Sequence, residues 1–224
     1  AGGVYSGTGV TGSNFNASVA GAGAHTLTYT YTNANGCVNP ATNTIIVRQQ
    51  PSISLTAAPV SILLPGQTAT LTASPVTTGG AVTTSWFYNS NPITVAANSY
   101  VVNVEKTGIY RVTVQEAWPG GTVCSNQSQI VTIDALASDK LFIFPSPNDG
   151  RFTVSYYNAT AGSVIRNIVI YDSKGGQMYN KKFTVTGPYT LLNIDIRPAQ
   201  GGVYFVLVGD ASGKKLAEGK IVVE

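Results

Sequence analysis

"HTLTYTYT", residues His25 to Thr32, alternates without a break. Leu27, Tyr29 and Tyr31 fall on one face, and Thr26, Thr28, Thr30 and Thr32 on the other. Successive strand side chains point to opposite faces, so this pattern predicts a half-buried β-strand with Tyr29 and Tyr31 in its core. "NANG" (33–36) then supplies a turn, and "NTIIVR" (43–48) a closing strand. Residues 1–49 hold too few strands for a complete sandwich and read as the back half of one.

Residues 50–134 carry a fuller set. Strands are expected at Ile53–Ala57, Gln67–Ala73, Val82–Tyr88, Tyr100–Val104, Gly108–Glu116 and Gln129–Ile133. "LPGQ", "TTGG" and "NSNP" separate them at sandwich spacing. No convincing helical period appears anywhere, and Gly, Thr, Val, Ala, Asn and Tyr dominate, so the fold class is all-β.

"GQTATLTA" (66–73), Trp86 and "EKTGIYRVTV" (105–114) together resemble an immunoglobulin-like domain. The resemblance implies that Trp86 is the core tryptophan and Tyr110 the tyrosine-corner residue. Ala73 and Val112 stand where an antibody domain has cysteines, so apolar packing must replace the inter-sheet disulfide. "GCVNPATNTIIV" (36–47) and "VCSNQSQIVTI" (123–133) resemble each other, which suggests tandem modules. Both resemble the PKD-like or Ig-like repeats of large bacterial surface proteins.

"DALASDK" (134–140) is a polar linker after which composition shifts. Of 13 basic and 10 acidic side chains, only Arg48, Glu105, Lys106, Arg111 and Glu116 precede Asp134. That contrast marks residues 135–224 as a linker plus a third module. Its strands are expected at Leu141–Phe144, Arg151–Tyr157, Ile165–Tyr171, Gln177–Val185, Tyr189–Ile196, Val203–Val208 and Lys215–Val223. The architecture expected is tandem immunoglobulin-like β-sandwiches, the first truncated.

"LFIFPSPNDGRFTV" (141–154), "IVIYDSKGGQMYN" (168–180) and "NIDIRPAQGGVYFVLVGDASGKKLAEGKIVV" (193–223) resemble the type A C-terminal sorting domain of the type IX (Por) secretion system. The motif positions are Pro145, Pro147, Asn148, Gly150, Gly202, Tyr204, Gly213, Lys214, Lys215 and Lys220. Ser146 departs from the family's usual Asn, and "RPAQGG" from its commoner Leu-containing turn. The resemblance implies an exported protein that crosses the periplasm to the cell surface. Its implied partners are the type IX translocon, an outer-membrane shuttle and a sortase, with cleavage near Ala135 to Lys140. The closing strand is expected at a sheet edge, with backbone groups free for a partner.

Catalysis is not expected. His25 is the single histidine, and residues 1–133 contain no aspartate to support a triad. Glu105 and Glu116 are read as solvent-facing strand-end residues rather than a glycosidase pair. The six aspartates are scattered singly, so neither calcium nor any other metal or cofactor is expected. Cys37 and Cys124 lie in separate modules and form no disulfide framework.

A net charge of +3 with 10% charged residues excludes an electrostatic claim on nucleic acid. The apolar run Val203–Val208 is too short to span a bilayer. Trp118, in "EAWPGGTVC", is the candidate glycan contact of the alternative reading, a carbohydrate-binding appendage of a secreted hydrolase. A self-associating surface fibre is another alternative, and surface glycan or lipopolysaccharide the further partner class. The chain opens at Ala1 without Met or a signal peptide, so it is expected to be the C-terminal portion of a larger protein.

Overall fold

The computed structural model describes residues 2–224. All but two of its regular elements are strands. The exceptions, which the sequence did not announce, are a helical turn at Ala17–Ala20 and a 3-10 turn at Val104–Lys106. Asn16 caps the first by accepting from Ser18 N–H and Val19 N–H, as a short polar side chain does at a helix start.

Two compact units divide the chain: residues 1–54, 74–85 and 112–128 form one, and residues 55–73, 86–111 and 129–224 the other. In the first unit, Gly23–Thr32 sits between Val4–Ser6 and Val38–Val47 in an antiparallel sheet. The strand is present, but its burial does not alternate: Leu27, Thr28, Tyr29 and Thr30 are all half-buried, and no residue from 2 to 49 is buried. Tyr29 is half-buried: its ring lies 4.7 Å from that of Tyr5, and its hydroxyl accepts from Gly3 N–H at 2.7 Å. Tyr31, expected in a core, is 39% exposed.

A hairpin completes the first unit's contribution, pairing residues 113–117 with Val123–Gln127. The latter strand was missed in sequence, as were the two short strands Ile62–Leu63 and Asn91–Ile93. Glu116 corrects an expectation more sharply. It is fully buried, not solvent-facing, and its carboxylate accepts from Thr78 N–H and Gly80 N–H, both at 2.7 Å. Burial opposes its charge, but these backbone donors outweigh it and hold the carboxyl below its ordinary range.

In the second unit, Trp86 is buried and Tyr110 fully so. The Tyr110 hydroxyl donates to Lys106 O at 2.7 Å, four residues upstream, which is the geometry of a tyrosine corner. Its ring stacks on Tyr88 at 5.0 Å. Ala73, and Val112 in the first unit, the positions lacking cysteines, are both buried apolar residues.

Residues 141–223 fold as a sandwich of two antiparallel sheets. One orders Leu141–Phe144, Arg151–Tyr156 and Leu192–Asp195; the other orders Gln177–Val185, Val164–Tyr171, Gly202–Gly209 and Lys215–Val223. Its core joins Phe152, Val154, Ile168, Ile170, Tyr204, Val206 and Ile221, and every member of that cluster lies between Leu141 and Val223. The strand expected over Tyr189–Ile196 is shorter, at Leu192–Asp195, because Tyr189 sits in the loop before it.

Candidate functional site

The sorting-motif residues are scattered in sequence but gather at defined ends of the last module. The turn Pro145–Gly150 closes onto the last three residues of the chain. Asn148 N–H donates to Val222 O at 3.0 Å, and Glu224 N–H donates back to Asn148 O at 2.9 Å. This parallel bridge is reinforced by the Asn148 side chain, whose amide donates to Pro145 O at 3.1 Å and Val222 O at 3.2 Å. Its carbonyl accepts from Gly150 N–H at 2.7 Å, an Asx turn that holds the loop in shape. Ser146, the departure from the family motif, keeps a role here: its hydroxyl accepts from Val222 N–H at 3.4 Å.

Gly150 has φ +94°, and a Cβ there would lie 2.8 Å from Arg197 Cγ. Its carbonyl accepts from Ile196 N–H at 3.0 Å, which draws the "RPAQGG" loop against the opening turn. Arg197 pairs with Asp195 at 2.6 Å, and the guanidinium's hydrogen bonds hold the Asp195 carboxyl far below its usual range. Beyond the loop, Tyr204 donates to Gln200 O at 2.7 Å, again four residues upstream. A second tyrosine corner thus stands where the sequence offered only a motif position. Gly202 and Tyr204 line an open cleft of about 350 Å³, shared with Lys174 and Met178.

The closing hairpin turns at Asp210–Lys214. Asp210 Oδ1 accepts from Ser212 N–H and Lys214 N–H, and Gly213 adopts φ +89°. Lys214, Lys215 and Lys220 are exposed, and Lys215 bridges Glu218 at 2.6 Å. Lys215–Val223 is the outer strand of its sheet, as expected. Its free edge is shorter than expected, since the groups of Val222 and Glu224 are taken by the opening turn. Lys220 and Glu218 point their side chains outward with Val222, and their edge-facing backbone groups have no partner among the described residues.

Elsewhere the structure removes candidates. Trp118 is 7% exposed, with the Arg48 guanidinium 5.2 Å from its ring centroid, so it offers no open ring face to a sugar. This tryptophan is packed into its loop. His25 Nε2 lies 2.8 Å from Gly21 O. Glu105 is exposed and accepts from Leu191 N–H at 2.8 Å. Cys37 and Cys124 are free thiols. Among the described residues there is no metal-binding cluster, and no helix is long and apolar enough to cross a membrane.

Comparison with known proteins agrees with the motif geometry. Residues 142–224 match the family described as secretion system C-terminal sorting domain. No curated protein matches the chain. Similar solved structures include a Ca2+-stabilized adhesin of an Antarctic bacterium, at 14% identity and TM-score 0.28, covering 90% of this chain and 57% of that one. Latent PorU from Porphyromonas gingivalis matches at 13% identity and TM-score 0.32, over 89% of this chain and 24% of that one. Bacteroides ovatus SGBP-B matches at 16% identity and TM-score 0.30, over 91% of this chain and 54% of that one. The chain thus spans less than two thirds of each of these structures, and likeness at this level assigns it neither ligand nor partner. The match over residues 142–224 indicates export to the cell surface or secretion.

Proposed function

We propose that residues 142–224 are the folded address read by the type IX translocon at the outer membrane, and that the preceding modules serve as a non-catalytic spacer or adhesive stalk. The observation that carries this reading is the union of the first and last sorting motifs through Asn148 and Val222. Motifs that build one continuous surface fit recognition of a folded domain. The open edge at Glu218–Lys220, with Lys214 and Lys215 beside it, suits pairing with an extended segment of the machinery.

Deletion of Lys215–Glu224 tests the proposal in cells with a working type IX translocon. The truncated protein is expected to accumulate in the periplasm while its upstream modules stay protease-resistant. Normal surface display of that truncation contradicts the proposal. A shuttle and a sortase would act downstream, and cells lacking the sortase should retain an uncleaved product.

A further inference from the structure

Leu136 is held from both sides. Its N–H donates to Leu63 O at 2.9 Å, and its C=O accepts from the Tyr189 hydroxyl at 2.8 Å. Tyr189 is 2% exposed, its ring set edge-on against Phe142 at 5.8 Å and Tyr157 at 5.4 Å. Two residues on, Leu191 N–H donates to the Glu105 carboxylate at 2.8 Å. The loop before Leu192 therefore grips the linker and the 3-10 turn Val104–Lys106 together. Downstream, Leu141 enters the ladder opposite Tyr156. Among the described residues only 137–140 lie between these two anchors without regular pairing, so the tether is short and fixed at both ends.

We propose that Tyr189 and Glu105 form a catch that withholds the Ala137–Lys140 tether from proteolysis until the sorting domain swings away. Shut, the catch pins the residue immediately before the tether. Open, it frees the Leu136 carbonyl and lets the tether extend into an active site. Where opening and closing outpace the cut, cleavage follows the population of the open form. The inference concerns this chain's own contacts and stands whether or not a translocon reads the domain.

Trypsin provides the probe, since Lys140 lies in the tether and is exposed. The intact chain is digested under native conditions, and cleavage after Lys140 is compared with cleavage after Lys174, an exposed turn residue remote in sequence. Tyr189→Phe keeps the ring and removes one hydrogen bond; Glu105→Ala alters an exposed side chain and removes the other. Each is expected to raise the Lys140 to Lys174 ratio about fivefold, and the pair together by more. An unchanged ratio in the double variant overturns the proposal. So does a rise shared equally by both bonds, which signifies general loosening rather than an opened catch. Should Tyr189→Phe fold poorly, Glu105→Ala alone decides, with an unchanged ratio again fatal.

Discussion

Asn148 and Val222 lie 74 positions apart and are joined twice, once by the Asn148 backbone N–H and once by its side-chain amide, both on the Val222 carbonyl. The side chain also bonds Pro145 O and Gly150 N–H, so one residue shapes the opening turn and fastens it to the final strand. Asn148→Ala removes the side-chain bonds and leaves the backbone bridge. The expected loss is about 1–2 kcal/mol in urea unfolding of the last module. Hydrogen exchange at Val222 and Glu224 should quicken, while exchange at the centre of Gly202–Gly209 holds. Asn148→Asp keeps the acceptor for Gly150 but not the donors, and should fall between.

Gly150 and Gly213 distinguish strain from collision. Both have positive φ, +94° and +89°, but a Cβ meets Arg197 Cγ only at Gly150 and open space at Gly213. Gly213→Ala is expected to cost about 1–2 kcal/mol, the penalty of a left-handed backbone for an L side chain. Gly150→Ala should cost more, because the loop carrying Arg197 must also move. Thermal melts of the two variants side by side check the order.

The division between what the sequence disclosed and what it hid follows from range. The turns were legible because their chemistry is local. "DSKGG", "DASGK" and "NANGC" share one hairpin turn, in which an Asp or Asn side chain accepts from backbone N–H groups two and four residues on. The period-two strands were legible for the same reason. Hidden were contacts that need the tertiary fold: Asn148 on Val222, Tyr189 on Leu136, and Glu116 under the Thr78–Gly80 turn. Glu116 reads as a strand-end charge in sequence, and nothing within a few residues of it signals the donors that bury it. Trp118 was open to two readings in sequence, a displayed ring or a loop tryptophan packed over the module, and the Arg48 guanidinium over its ring is a contact no local pattern signals.

Glu116 predicts an acid-sensitive first unit. Its folded carboxyl titrates below the ordinary value of 4.5, so the charged form favours folding above that value. The stabilisation is lost as pH falls from 4.5 through the depressed folded value. Glu116→Gln should destabilise the protein at pH 7 and flatten the acid loss, so that wild type and variant converge at low pH. Urea midpoints across that range, followed by Trp fluorescence, measure it. A constant gap between the two at all pH values would show that shape, not charge, is what Glu116 supplies.

Tyr110 predicts an alkaline counterpart. Burial first, and then neighbouring Tyr88 and Tyr100, push the Tyr110 hydroxyl well above its usual value of 10.0. A raised folded value means that the neutral phenol's contribution is complete below pH 10 and is lost as pH rises toward the folded value. Tyr110→Phe removes the bond to Lys106 O and the titration together. It should therefore cost about 1 kcal/mol at neutral pH and draw level with wild type in alkali. Tyr204→Phe loses the bond to Gln200 O and carries a similar neutral-pH cost. The two corners share no hydrogen-bond partner, so their costs should add to within about 0.5 kcal/mol in the double variant. A coupling clearly above that figure would mean that the two tyrosines report one cooperative core rather than two separately anchored ones.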